Sequence, residues 1–108
     1  DHPIEDIVSI LHHSELYIGV SSGLAWLSWA IEKPVVMISG FSSEWTEFSS
    51  KITRIINKNV CNSCFNNHKL DAGDWDWCPS HKNTPRQFEC TKKISPEIVI
   101  EGVISSLV

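Results

Sequence analysis

The chain has 108 residues, a length that suits one compact domain, and 42% of them are apolar, which excludes an intrinsically disordered segment. Its formal net charge of −4 argues against nucleic acid as the main partner. We expect neither a secretory leader nor a membrane span, because there is no basic start and no apolar run near the ~20 residues that a span needs.

The first half of the chain alternates helical and strand patterns. Residues 3–13 place apolar side chains at helical spacing, and residues 16–20 form a short apolar run that ends at Ser-Ser-Gly. Helical spacing returns at residues 24–31, and residues 34–40 form a second apolar run that begins with a proline. This order predicts a βαβ unit with parallel strands and a right-handed crossover.

The second half contains a long segment without a pattern. A helical turn at 44–48 and a third short strand at 51–57 are predicted, but residues 60–90 show no periodicity, so something must hold them in place. Residues 96–107 predict a helix with Ser95 as N-cap and Glu97 in the first turn. Three strands are few for an independent α/β domain and the first residue is Asp1, so we expect the C-terminal part of a larger domain.

Four cysteines fall in the unpatterned segment with the spacing C-x2-C-x13-C-x11-C: Cys61, Cys64, Cys78 and Cys90. A tetrahedral metal ion takes four thiolates at ~2.3 Å, and such a site would organise the segment. Two disulfides or a thioredoxin-like redox pair are the alternatives. His68 and His81 could replace a cysteine, but we expect them to be exposed loop side chains. Four protein ligands leave no open position, so the metal would be structural, and both zinc and iron fit.

The charge distribution offers a second interpretation of the cysteine segment. Residues 51–93 hold eight basic and four acidic side chains, whereas the rest of the chain holds one lysine and nine acids. The basic side chains can offset the charge of clustered thiolates. Alternatively, they form a face for nucleic acid or an acidic protein partner, and the chain is then a metal-finger interaction module.

The turn after the first predicted strand is a candidate ligand site. Ser21, Ser22 and Gly23 stand where a strand ends and a helix begins, so backbone N–H groups and the positive helix end meet at one place. This arrangement is typical of phosphate binding at the carboxyl edge of an α/β sheet, and serine and glycine are also ordinary helix-cap residues. Trp26 lies one turn further on and is a candidate to flank a base or a sugar.

Residues 17–42, YIGVSSGLAWLSWAIEKPVVMISGFS, resemble the sugar-nucleotide-binding stretch of heptosyltransferases of the GT-B class. The downstream four-cysteine insertion is similar to that of the bacterial autotransporter heptosyltransferases. The resemblance implies part of a Rossmann-like GT-B C-terminal domain with three parts: residues 1–58 for sugar-nucleotide binding, 59–93 as a metal finger, and 94–108 as a helix that packs back on the α/β part.

The resemblance also implies a function. The enzymes of this branch are cytoplasmic, form large rings, and transfer heptose from ADP-heptose to serines of autotransporter passenger proteins. Ser21, Ser22, Gly23 and Trp26 would bind the donor, and the four cysteines would hold one Fe3+, with zinc as the alternative. Ser21 and Trp26 depart from the lipopolysaccharide-core branch, where Asp and His are common. The general base would lie outside this chain, so we name no catalytic residue and expect the chain alone to be inactive.

Overall fold

The computed structural model describes residues 3–66, 71, 73, 74 and 76–107. Within these ranges the helices and strands follow in the order α1 (Ile4–His12), β1 (Tyr17–Gly19), α2 (Gly23–Ala30), β2 (Val35–Ile38), β3 (Ile52–Ile55), α3 (Glu89–Lys92) and α4 (Pro96–Leu107). No helix in the described part is long and apolar enough to cross a membrane.

The three strands form one parallel sheet in the order β1-β2-β3. The register pairs Gly19 with Met37 on one side of β2 and Ile38 with Ile55 on the other. The predicted βαβ unit, the third strand and the C-terminal helix are therefore confirmed. Because parallel strands end at the same edge, the loops that follow them converge there.

The central strand β2 is the most buried element. Val35, Val36 and Met37 are each at most 1% exposed, as expected for a parallel strand covered on both faces. One face of the sheet packs against α2, where the core comprises Ala25, Val35, Met37 and Phe48, with Tyr17, Trp29 and Ile52 packed against it.

The opposite face of the sheet packs against α4. Since side chains alternate along a strand, Thr53 and Ile55 point away from the face that carries Ile52. Gly102 of α4 is buried there, and a Cβ at this position would lie 2.6 Å from Ile55 Cδ1. The Thr53 and Ser106 hydroxyls lie 2.9 Å apart across the same contact. The glycine thus lets the helix approach the sheet closely.

The segment predicted to lack pattern contains short helical pieces. Cys64–Asn66 form one turn of 3-10 helix, and α3 begins at Glu89, directly after Phe88, whose φ is +59°. Pieces of three and four residues are too short to produce an apolar period in the sequence, so periodicity could not predict them.

We predict that Gly102→Val lowers the free energy of unfolding by about 1–3 kcal/mol, because the added methyl groups must displace the Ile55 side chain. Gly102→Ala should have a smaller effect, since the helix propensity that alanine gains, about 1 kcal/mol, offsets part of the clash. Urea denaturation measures both. Ser105→Val, at an exposed position of the same helix, is the control; equal losses in both valine variants would contradict the close contact.

Candidate functional site

A cavity of about 510 Å³ opens at the carboxyl edge of the sheet. Its volume falls within the roughly 300–1,000 Å³ that small-molecule sites occupy. The lining comes from the turn after β1, the loop after β2 and the cysteine segment, and consists of Val20, Ser21, Trp26, Ile38, Ser39, Phe41, Ser42, Thr46, Glu47, Phe65 and Thr91.

Of the four predicted donor-binding residues at and after the turn that follows β1, two line the cavity and two do not. Ser21 and Trp26 line the cavity, whereas Ser22 and Gly23 are outside its lining. Ser22 is the N-cap of α2: its Oγ accepts a hydrogen bond from the Ala25 N–H at 3.4 Å and lies 3.3 Å from the Tyr17 hydroxyl. Gly23 begins α2 in open space, because a Cβ added there would meet no other side chain within 4 Å. The Ser22 hydroxyl is therefore already used by the fold.

Trp26 forms an aromatic wall that other rings support. Its ring meets Phe48 at 5.0 Å and Trp29 at 5.8 Å, both edge to face, and Trp29 stacks on Phe48 at 5.2 Å. The Trp29 indole N–H donates to Ser50 Oγ at 3.0 Å. Trp26 is still 41% exposed. A large ring that is fixed by its neighbours and remains accessible can stack against a ligand without further loss of side-chain freedom.

Glu47 places a buried carboxylate in the cavity. Its Oε1 accepts hydrogen bonds from the Ser42 hydroxyl and from Arg54 Nη1, both at 2.9 Å, and its Oε2 accepts one from the Thr46 hydroxyl. Burial raises the pKa of Glu47, but the hydrogen bonds from Thr46, Arg54 and Ser42 outweigh it and hold this pKa below its ordinary value. Glu47 is thus ionised at neutral pH.

Ser39 contributes a hydroxyl without a hydrogen-bond partner among the described residues. The residue is 4% exposed, lines the cavity and directly follows β2, while its backbone N–H donates to the Ile55 carbonyl at 2.7 Å. Neither Ser39 nor Glu47 was predicted from the sequence as a site residue. The signal for Ser39 was available, since it follows β2 as Ser21 follows β1.

The cysteine segment forms one wall of the same cavity. The Ser63 N–H donates to the Gly40 carbonyl at 2.6 Å, and the Phe65 N–H donates to the Phe41 carbonyl at 2.8 Å. The Phe41 and Phe65 rings then meet at 5.2 Å. Since Phe65 follows Cys64, the backbone that carries the cysteines also shapes the cavity.

A second contact holds the other end of the cysteine segment. A Cβ on Gly40 would lie 2.6 Å from the Cys90 carbonyl oxygen, so only glycine permits this approach of backbone to backbone. Thr91, the residue after Cys90, also lines the cavity. Both ends of the segment therefore meet the loop after β2.

The four cysteines are free thiols, so the structure contains neither of the disulfide pairs considered as an alternative. Burial raises the pKa of Cys64 to about 11, and charges on Cys61, Cys78 and Cys90 add to the effect. The pKa of Cys90 is raised by burial and then by Cys78 and Cys61. The thiols are thus close enough to influence one another electrostatically. Among the described residues, however, the cluster of possible metal ligands within 4.8 Å of one another contains Cys61 and none of the other three cysteines.

Glu89 ties the Cys61 backbone to the second half of the segment. Its carboxylate accepts from the Cys61 N–H and from Arg86 Nε and Nη2, each at 2.9 Å. The Arg86 hydrogen bonds, followed by that of the Cys61 N–H, lower the pKa of Glu89 to about 2. This carboxylate is therefore anchored on both sides.

His81 lies nearer to the cysteines than expected. Its Nε2 is 3.9 Å from Glu89 Oε2 and its side chain is 18% exposed, so the prediction of an exposed loop histidine was wrong for His81, whereas His68 lies outside the described residues. Ligand atoms of Cys61, His81 and Glu89 all lie within 4.8 Å of one another. A mixed ligand set is therefore the geometric alternative to four sulfurs.

The chain is similar to curated autotransporter heptosyltransferases. It is 48% identical over 107 residues to BAHTCr of Citrobacter rodentium and 46% identical over 107 residues to Aah of Escherichia coli. It is also 42% identical over 99 residues to BimC of Burkholderia thailandensis, an inactive autotransporter heptosyltransferase. These matches cover 97%, 97% and 90% of this chain but 26%, 27% and 23% of the relatives, so the chain spans about a quarter of their length.

Solved structures give the same result for the fold. The chain matches the crystal structure of the dodecameric iron-containing heptosyltransferase TibC in complex with ADP-D-β-D-heptose, with a TM-score of 0.89 and 40% identity over 98% of this chain and 29% of that one. A second TibC structure, from enterotoxigenic E. coli, gives a TM-score of 0.90. No protein-family model matches the chain. The resemblance to autotransporter heptosyltransferases is thereby confirmed over nearly the whole chain.

We predict that Arg54→Met destabilises the protein by about 3–5 kcal/mol at neutral pH, because it leaves the Glu47 carboxylate buried without its cation. The Arg54 and Glu47 side chains are only 12% and 1% exposed. Since the folded pKa of Glu47 lies below its ordinary value of 4.5, the ion pair stabilises the wild type above that pH. The contribution is lost as the pH falls through the folded pKa.

The difference in stability between wild type and Arg54→Met should therefore be largest above pH 4.5 and shrink below it, as urea denaturation over a pH series measures. The Lys58–Glu44 pair, at 3.4 Å with side chains 74% and 61% exposed, supplies the control. Lys58→Met should cost less than about 1 kcal/mol. A pH-independent loss in Arg54→Met would mean that packing of the arginine, rather than its charge, matters.

Proposed function

We propose that this chain, which is homologous over nearly its whole length to autotransporter heptosyltransferases, is the donor-binding portion of a bacterial protein O-heptosyltransferase. The complete enzyme would transfer heptose from ADP-heptose to serines of an autotransporter passenger. The observation that carries the proposal is the cavity at the carboxyl edge of the sheet, formed by the strand–turn–helix on which the resemblance rests.

In this proposal the donor diphosphate lies at the N-terminus of α2. Ser21 lines the cavity and the space beside Gly23 is open, and the positive end of a helix favours an anion there. Because the Ser22 hydroxyl caps the helix, Ser22 would contribute its backbone rather than its side chain. Trp26 would pack against the base or the sugar.

The role of this portion in the reaction is to bind and stabilise the leaving group. Charge develops on the diphosphate as the acceptor oxygen attacks the anomeric carbon, and helix-end N–H groups stabilise that charge. Glu47 is unsuited to be the general base, since its lowered pKa and three hydrogen-bond donors make it a weak proton acceptor at neutral pH. The base would therefore come from outside this chain.

We further propose that Cys61, Cys64, Cys78 and Cys90 hold one structural metal ion, Fe3+ with zinc as the alternative. The C-x2-C-x13-C-x11-C spacing and the similarity to the iron-containing TibC support this ligand set. Such an ion would cross-link a segment whose two ends meet the loop after β2 and would supply no reaction chemistry. Residues 1–58, 59–93 and 94–108 remain our proposed division of the chain into donor-binding part, metal finger and closing helix.

By analogy with the dodecameric TibC, we propose that the complete protein is a large homo-oligomer in the bacterial cytoplasm. The charge pattern gives no support to the alternative of a nucleic-acid or acidic-partner module. Four basic side chains of the region from 51 to 93 are paired with acids of the chain itself: Arg54 with Glu47, Lys58 with Glu44, Lys82 with Asp74 and Arg86 with Glu89.

The metal proposal predicts that freshly purified protein contains one iron per chain and absorbs visible light, whereas a zinc form would be colourless. Elemental analysis and the visible spectrum measure this. Cys78→Ser should lose the metal and His81→Ala should keep it, because four sulfurs form the site. The reverse pattern would assign the ion to Cys61, His81 and Glu89 instead, and Ser80→Ala in the same segment is the control.

The donor proposal predicts that the chain binds ADP-heptose, and that Gly23→Glu weakens this binding about tenfold or more, because the added carboxylate repels the diphosphate at short range. The same change should leave the fold intact, since an acidic residue is favourable in the first turn of α2. A titration that is monitored by NMR measures affinities in this weak range. Ser105→Glu adds the same charge to an exposed position of α4; equal affinities of the two variants would contradict the proposed diphosphate position.

A further inference from the structure

We infer that the part of the cavity formed by Ser39 and Glu47 recognises hydroxyl groups of the donor and lies beside the diphosphate subsite. The inference rests on the proposed function and adds two residues to it. The shared chemistry is a ring with neighbouring hydroxyls, which ADP-heptose offers both in its ribose and in its heptose.

The order of the strands determines where this subsite lies relative to the diphosphate. Ser21 follows β1, Ser39 directly follows β2, and Glu47 bonds Arg54 of β3. Because β2 lies between β1 and β3 and neighbouring strands are about 4.8 Å apart, the lining runs from the start of α2 across the sheet edge toward the carboxylate. A diphosphate at α2 thus leaves the rest of the donor over Ser39 and Glu47.

The buried hydroxyl of Ser39 favours a hydroxyl ligand. The residue is 4% exposed and its Oγ has no partner among the described residues. A buried hydroxyl without a hydrogen bond is costly, and such groups in native proteins generally have a partner. Since Ser39 lines the cavity and its hydroxyl can both donate and accept, a ligand hydroxyl matches it.

The Glu47 carboxylate also favours a hydroxyl over a phosphate at this place. A carboxylate offers about four acceptor sites, and the three donors from Ser42, Thr46 and Arg54 leave one for a ligand. The lowered pKa keeps it ionised, so it accepts a hydrogen bond from a neutral hydroxyl and repels an anion.

The test is a titration of wild type, Ser39→Ala and Ser49→Ala with ADP and with ADP-heptose. Ser49 is exposed and serves as the control. Ser39→Ala should bind about three- to tenfold more weakly. A loss for both ligands assigns the subsite to the ribose, and a loss for ADP-heptose alone assigns it to the heptose; either result supports the inference.

Glu47→Gln provides a second test, because the inference predicts the direction in which its ligand affinity changes. It should also weaken binding, because it removes an ionised acceptor; tighter binding of ADP by this variant would place the carboxylate against the phosphates and overturn the inference. Thermal melts identify any variant that is not folded. If the wild type binds and Ser39→Ala binds with the same affinity, this inference alone is wrong. If the wild type binds neither ligand, the proposed function is wrong as well.

Discussion

The close approach of Gly40 to Cys90 is the contact on which the candidate site depends. At this point the loop after β2 and the end of the cysteine segment touch backbone to backbone, without space for a Cβ. The 2.6 Å hydrogen bond from the Ser63 N–H to the Gly40 carbonyl joins the beginning of the segment to the same residue. A segment with little regular structure is thus positioned by the most buried strand of the sheet. Both ends of the segment thus meet this one loop, and two residues next to the cysteines, Phe65 and Thr91, line the cavity.

This arrangement gives a metal ion a structural task. The described core is small, and most of its fully buried apolar side chains belong to β2, so packing alone offers little to order some thirty residues. An ion bound by thiols from both ends of the segment would join Cys61 and Cys64 to Cys90 and thereby fix Phe65 and Thr91 in the cavity wall. Metal content and ligand affinity would then depend on each other without any contact between metal and ligand.

The sequence predicted the parts of the molecule that follow from local patterns. Helical spacing and short apolar runs were sufficient for α1, α2, α4 and the parallel strands, because these elements are specified by apolar residues that recur at local spacings. Two of the predicted donor-binding residues, Ser21 and Trp26, line the cavity. Ser39 was missed although it directly follows β2, and Glu47 was not found because its partner Arg54 lies on another element and the two meet only in the folded chain. His81 was assigned to the surface because its partner Glu89 is eight residues away and no pattern connects the two.

The charges around the cavity indicate what the rest of the enzyme must supply. The described lining contains one carboxylate, Glu47, and no lysine or arginine, and Arg54 is already committed to that carboxylate. The N-terminus of α2 offers the equivalent of about half a positive charge, which is less than a diphosphate carries. Under the proposed function, tight donor binding would therefore need a cation from outside this chain, and the general base would also lie outside it. A two-part site of this kind would hold the donor weakly until both parts close on it, and transfer would occur only in the assembled enzyme.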